Sequence, residues 1–158
     1  ICIRIMITLI REQSHSNGIS IYYDTVRKKY FKISLNNHGY RLLKNELGGI
    51  IFFNQLKNVE KINHKFYKKK NYSRLEINKI YGKIADYRDS FNKNSKFFEK
   101  FINFYSLNWP NTKKNNIHGD LTLDNIIFDK KKVSIFDWEH YRSSQKFFFG
   151  YDLIYLLL

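Results

Sequence analysis

Cysteine, proline and alanine each occur once, as Cys2, Pro110 and Ala85. A single cysteine excludes an intramolecular disulfide framework and any multi-cysteine zinc site, so a reducing, cytoplasmic location is expected. Acidic residues are scarce as well: 14 Asp and Glu stand against 28 Lys and Arg, a formal charge of +14. A surplus of that size is the usual footprint of a nucleic-acid or anionic-membrane partner. The abundance of Lys, Asn, Ile, Phe and Tyr has a plainer origin in an AT-rich coding sequence. The blocks Lys68 to Lys70 and Lys130 to Lys132 read as solvated turns. No apolar run reaches the roughly 20 residues that a membrane-spanning helix needs, since ICIRIMITLI is broken by Arg4 and YDLIYLLL is equally short. The chain starts without Met and stops inside an apolar run that lacks a helix stop signal, so a longer parent chain is expected.

With 158 residues, 43% of them hydrophobic, the chain has enough apolar surface for one core. Strands are expected at residues 3 to 10, 19 to 24 and 29 to 35, forming an antiparallel meander whose first turn is REQSHSNG. A helix is expected over 41 to 56, with Leu43, Leu47, Ile50 and Ile51 on one stripe; Gly48 and Gly49 weaken it by roughly 1 kcal/mol each relative to Ala. Two more strands follow at 62 to 68 and 73 to 80. A second half, mainly helical, begins with SKFFEKFINFYSLNW at 95 to 109, which Pro110 stops. The aromatic residues fall at helix and strand periods, as in Phe97, Phe98, Phe101 and Phe104, which favours core filling over a base-stacking platform.

The stretch NNIHGDLTLDNIIFD, 115 to 129, puts a histidine, acids and an amide directly before a β-branched run. If Asp129 to Lys132 form a turn, IIF and VSIF pair as a hairpin in which Phe128 faces Val133 and Ile126 faces Ile135. Asn125 and Asp137 then meet at the hairpin's mouth, and Asp120 lies in the loop that feeds it. An amide oxygen beside a carboxylate suits a hard cation such as Mg²⁺ when phosphate completes the ligand set. A second carboxylate, Asp120, is placed to take the proton of an attacking hydroxyl, so the set describes phosphoryl transfer. His118 and His140 have no cysteine or close histidine partner, which speaks against zinc. Asp124 reads as solvent-facing or a cap, and Glu139 as either a helper at the metal or a solvated side chain.

HGDLTLDN resembles the H-x-D-x-x-x-x-N loop of the protein-kinase-like fold, and in its HGD form it resembles the aminoglycoside phosphotransferase and choline kinase family. FDWE, 136 to 139, is similar to that family's metal-binding segment, and GYDL, 150 to 153, to its later Asp-Leu element. The resemblance implies an α+β, two-lobed fold: an antiparallel nucleotide-binding N-lobe over residues 1 to 80, and a mainly helical, apparently truncated C-lobe over 81 to 158. It implies ATP and Mg²⁺, with Asp120 as catalytic base, Asn125 and Asp137 as Mg²⁺ ligands, His118 organising the loop and Asp152 bracing it. By the same resemblance Lys32 grips the phosphates and Glu46 steadies it. The loop holding Ser14, Ser16 and Gly18 covers the phosphates, and the Ile80-Tyr81 backbone meets adenine. With only Gly18 in that loop, the protein-kinase G-x-G-x-x-G pattern is not met.

The implied acceptor is a hydroxyl of a small molecule: an aminoglycoside, choline, ethanolamine, a sugar or a sugar-lipid precursor. Three other readings stay open here. An atypical protein kinase would phosphorylate a protein and no metabolite, and a truncated remnant would be catalytically silent. A nucleic-acid-binding module would bind with a steep salt dependence that does not need Asp120.

Overall fold

The computed structural model describes residues 7–12, 18–85, 97–109, 115–129, 132–144, 146 and 149–157. Five strands form one antiparallel sheet: β1 (Ile7–Glu12), β2 (Ile19–Asp24), β3 (Lys29–Ser34), β4 (His64–Lys68) and β5 (Ser73–Asn78). Their spatial order is β1-β2-β3-β5-β4. The meander expected of the first three is present, and Ile21 pairs with Lys32, which pairs in turn with Leu75.

Helix α1 (Asn37–Phe53) packs on this sheet. It starts four residues before the expected position. Asn36, in an extended conformation, accepts the Gly39 N–H at 2.7 Å through Oδ1, a cap worth about 1 kcal/mol. Its buried stripe is Gly39, Leu43, Glu46, Gly49, Ile50 and Phe53. Burying the three large apolar members contributes roughly 1.5–3 kcal/mol each. Ile51, expected on that stripe, is 46% exposed. The buried face runs through 46, 49, 50 and 53, where Gly49 lies against Trp138.

The rest comprises β6 (Lys83–Ile84), α2 (Phe97–Asn108), β7 (Asn115–Ile117), β8 (Ile126–Asp129), β9 (Lys132–Ile135), β10 (Arg142–Ser144) and α3 (Tyr151–Leu157). Single 3₁₀ turns sit at Leu123–Asn125 and Trp138–His140. β6, β8 and β9 form a three-stranded antiparallel sheet, and β7 pairs with β10. The expectation of a mainly helical second half is therefore corrected. Among the described residues its two helices share the space with five short strands, because the polar loop at 118–125 is framed by the β7/β10 and β8/β9 strand pairs.

The architecture is mixed α+β. One cluster of buried side chains joins Leu43, Ile50 and Phe53 of α1 to Phe101 and Tyr105 of α2, and to Ile126, Ile135 and Trp138. Trp138 is fully buried and central: its ring lies 4.5 Å from that of His118, 5.8 Å from Phe53 and 6.1 Å from Trp109. Among the described residues no helix is long and apolar enough to cross a membrane.

Candidate functional site

The hairpin β8/β9 has the expected register, with Phe128 opposite Val133 and Ile126 opposite Ile135. Its ladder runs one step further, the Phe136 N–H donating to Asn125 O at 3.1 Å. Asn125 and Phe136 therefore sit across from each other where the arms part, and Asp137 follows. The Asn125 side-chain Nδ2 donates to Asp120 O at 3.0 Å. That bond fixes the amide's orientation and ties the Asp120 loop to the hairpin, leaving Oδ1 as the amide's acceptor atom.

Asp152, fully buried at the start of α3, accepts the His118 N–H at 2.8 Å and the Gly119 N–H at 3.0 Å. Burial raises its pKa, and these two amides oppose that rise. Gly119 has φ +87°, and a Cβ there would come within 2.6 Å of His140 O, so a side chain at this point would both strain and clash. The implied brace between GYDL and the HGD loop is thus a pair of amide-to-carboxylate hydrogen bonds.

His118 has no exposed surface, and its Nε2–H donates to Phe136 O at 2.9 Å. Nδ1 is buried and has no hydrogen-bond partner among the described residues. Burial pushes the imidazole down from 6.5 to about 4, against the Phe136 carbonyl and the Asp137 and Asp120 charges, so it stays neutral. The unfolded chain takes up a proton as pH falls below 6.5 and the folded chain refuses it. The residue's contribution is therefore present above that pH and is reduced by about 2 kcal/mol near pH 5. Glu46, pushed up to about 7, acts in the opposite sense, so the Glu46→Gln variant isolates the histidine. Its urea midpoint is expected to fall from pH 6.5 to about 5, and a flat or rising midpoint would refute the neutral buried ring.

Asp137 takes the left-handed conformation, φ 64° and ψ 52°, which Asp tolerates better than most residues. Its Oδ1 lies 2.7 Å from Lys32 Nζ, which also lies 2.9 Å from Glu46 Oε2 and 3.0 Å from Glu139 Oε1. Burial alone would lower the Lys32 pKa; the charges of Glu46, Asp137 and Glu139 outweigh it and hold the ammonium above the ordinary lysine range. Burial raises Glu46, and Lys32 offsets only part of that rise. For Asp137 the Lys32 charge and hydrogen bond overcome the effect of burial and lower its pKa.

The Lys32 to Glu46 pairing expected from the sequence is brought together, and Glu139, left open between two roles, joins it. Oxygen atoms of Glu46, Asp137 and Glu139 lie within 4.8 Å of one another. Three carboxylates face one ammonium, an excess of negative charge that a divalent cation would neutralise. Such a group of hard oxygen donors is of the kind that holds a divalent cation. The sequence placed Asn125 beside Asp137 as the metal pair, whereas the acidic group assembled here draws on α1 and the WEH turn.

Two glycines make this possible. A Cβ on Gly49 would meet Trp138 Cβ at 2.5 Å, and one on Gly48 would meet the Tyr141 ring at 3.2 Å. Helix α1 therefore lies directly on the turn that carries Asp137 and Glu139, and Asn45 Nδ2 donates to Glu139 O at 3.2 Å. The glycines that weaken the helix locally are what bring Glu46 to the site.

A cavity of about 410 Å³ opens beside the cluster, walled by Ile21, Ile77, Ile80 and Ile127 and also lined by Lys32, Glu46 and Asp137. An apolar slot with charged groups along one part suits a flat heterocycle bearing a polar tail. Ile80 lines it, but Tyr81 is 63% exposed and does not. Lys79 and Gly82 flank the wall there instead. Gly18 lies against Asn36 just before β2 and is not among the residues that line the cavity, while Ser14 and Ser16 fall outside the described residues.

The fold has a solved counterpart. Residues covering 83% of this chain superpose on WbdD, determined as a co-crystal with the kinase inhibitor LY294002, at a TM-score of 0.51 and 10% identity. The likeness is to a kinase-type fold. At that identity it speaks for the fold alone, and the chain spans about a third, 32%, of WbdD. No protein-family model matches the chain, and no curated protein matches it in sequence.

Proposed function

We propose that the chain is the ATP-binding and catalytic part of a two-lobed, kinase-like phosphotransferase, with the lobes dividing near residue 80, and that it moves the γ-phosphate of ATP to a hydroxyl of a small molecule. The observation that carries this reading is Lys32, held by Glu46 from α1 and by Asp137 and Glu139 from the turn after the hairpin, at the edge of an apolar cavity. A lysine so placed grips phosphate oxygens, and the helix glutamate fixes where it reaches. Mg²⁺, when bound, neutralises charge on the phosphates and would be held by Asp137, with Asn125, Glu46 and Glu139 as further oxygen donors. Asp120 orients the acceptor hydroxyl and takes its proton while the γ-phosphate passes to that oxygen and ADP departs. Asp152 and neutral His118 hold the Asp120 loop in place without entering the chemistry.

The test is ADP release from MgATP with a panel of acceptors: aminoglycosides, choline, ethanolamine, simple sugars and a generic protein. Release stimulated by one class of small alcohol is the expected outcome. Phosphorylation of the protein alone would reassign the acceptor class. No ADP release under any condition would remove the reading.

A further inference from the structure

The Asp120 carboxylate takes a hydrogen bond from α3. Asp152 and Tyr155 are three residues apart on that helix and so project from the same side. Asp152 takes the two backbone N–H groups of His118 and Gly119, and the Tyr155 hydroxyl donates to Asp120 Oδ1 at 2.9 Å. One helix face thus grips the HGD loop at its backbone and at the carboxylate that ends it. Nothing in the motif resemblance calls for a tyrosine here.

Resting on the phosphotransferase reading above, we infer that Tyr155 is a positioning residue for Asp120. Its hydroxyl holds one carboxylate oxygen and leaves Oδ2 to meet the acceptor. A carboxylate on a single Cβ turns about two torsions, and a base that rotates away from its acceptor hydroxyl loses the geometry proton transfer requires. The phenol supplies the restraint from outside the loop. Tyr155 is 41% exposed and its bond to Asp120 lies at the surface, so the phenol restrains the carboxylate without shutting it off from solvent. The acceptor's reacting hydroxyl and the phenol therefore share one carboxylate without displacing each other.

The experiment measures MgATP turnover, with water or the best acceptor of the panel, for the unsubstituted chain, Tyr155→Phe, Asp120→Asn and the double variant. Tyr155→Phe keeps the ring and removes only the donor, so its thermal midpoint is expected to match the parent. Its kcat is expected to drop roughly tenfold with KM for ATP unchanged, and it is expected to add no further loss to the residual turnover of Asp120→Asn, since it acts through that carboxylate. Full turnover in Tyr155→Phe, a loss confined to KM, or losses that multiply in the double variant would overturn the inference and leave the phosphotransferase reading standing. Full turnover in Asp120→Asn, or none in the unsubstituted chain, would overturn both.

Discussion

Asp137→Asn is expected to cut ATP turnover on the order of a thousandfold, the range seen when one preorganised charge contact to a developing transition state is removed. Asparagine is the right replacement because the position is left-handed, φ 64°. Asn accepts that backbone as Asp does, while alanine would add about 1–2 kcal/mol of strain and confuse loss of charge with loss of fold. The side chain is 42% exposed, and its ion pair is to Lys32 at 2.7 Å. The thermal midpoint is therefore expected to move little, and the whole effect to lie in kcat. Turnover within a few-fold of the parent would sink the assignment of Asp137 to the reacting phosphates.

Lys32→Met is expected to combine a comparable loss of turnover with a loss of stability. Methionine follows the lysine side chain as far as Cε but leaves Glu46, Asp137 and Glu139, with oxygens within 4.8 Å of one another, without the Lys32 ammonium. Removing one partner of a buried charge cluster costs about 3 kcal/mol or more. Glu46, only 1% exposed, and Glu139 account for most of it; the partly exposed Asp137 is screened and adds little. The penalty is a charge penalty, so it eases as pH falls and Glu46 takes up a proton, the more readily because burial raises its pKa and the Lys32 charge that lowered it is gone. Millimolar Mg²⁺ is expected to raise the urea midpoint of this variant at about pH 8, because a cation that binds only the folded chain stabilises it. A midpoint equal to the parent's, or one indifferent to Mg²⁺, would show that the three acids do not act as one site.

Much of this geometry could be read from the residues, and the parts that could not share a cause. The hairpin register was legible because two short β-branched runs flank a polar turn, and period-two alternation then leaves one pairing of Phe128 with Val133. Lys32 and Glu46 were legible through the resemblance, and a charge set between Phe31 and Ile33 in a strand needs a polar partner in any case. The start of α1 was missed although Asn36 caps it, since the cap partner Gly39 interrupts an otherwise polar stretch. Gly48 and Gly49 were read by helix propensity as a weakness, whereas their reason lies about ninety residues onward in Trp138 and Tyr141. Glu139 and Tyr155 likewise act on residues distant in the chain, Lys32 and Asp120. Local pattern reports what a residue is next to in sequence, and contacts closed by the fold are invisible to it.

The seating of Gly49 on Trp138 has a consequence for how such a chain can change over generations. The two positions share one volume: the backbone at 49 is as close to the indole as packing allows, and the indole fills the centre of the core. Any inherited side chain at 49 meets the Cβ of Trp138 itself, so no residue at 138 larger than glycine makes room for it, and the helix would lift and carry Glu46 from Lys32. Position 49 is therefore expected to stay glycine through mutational drift for as long as position 138 carries a side chain.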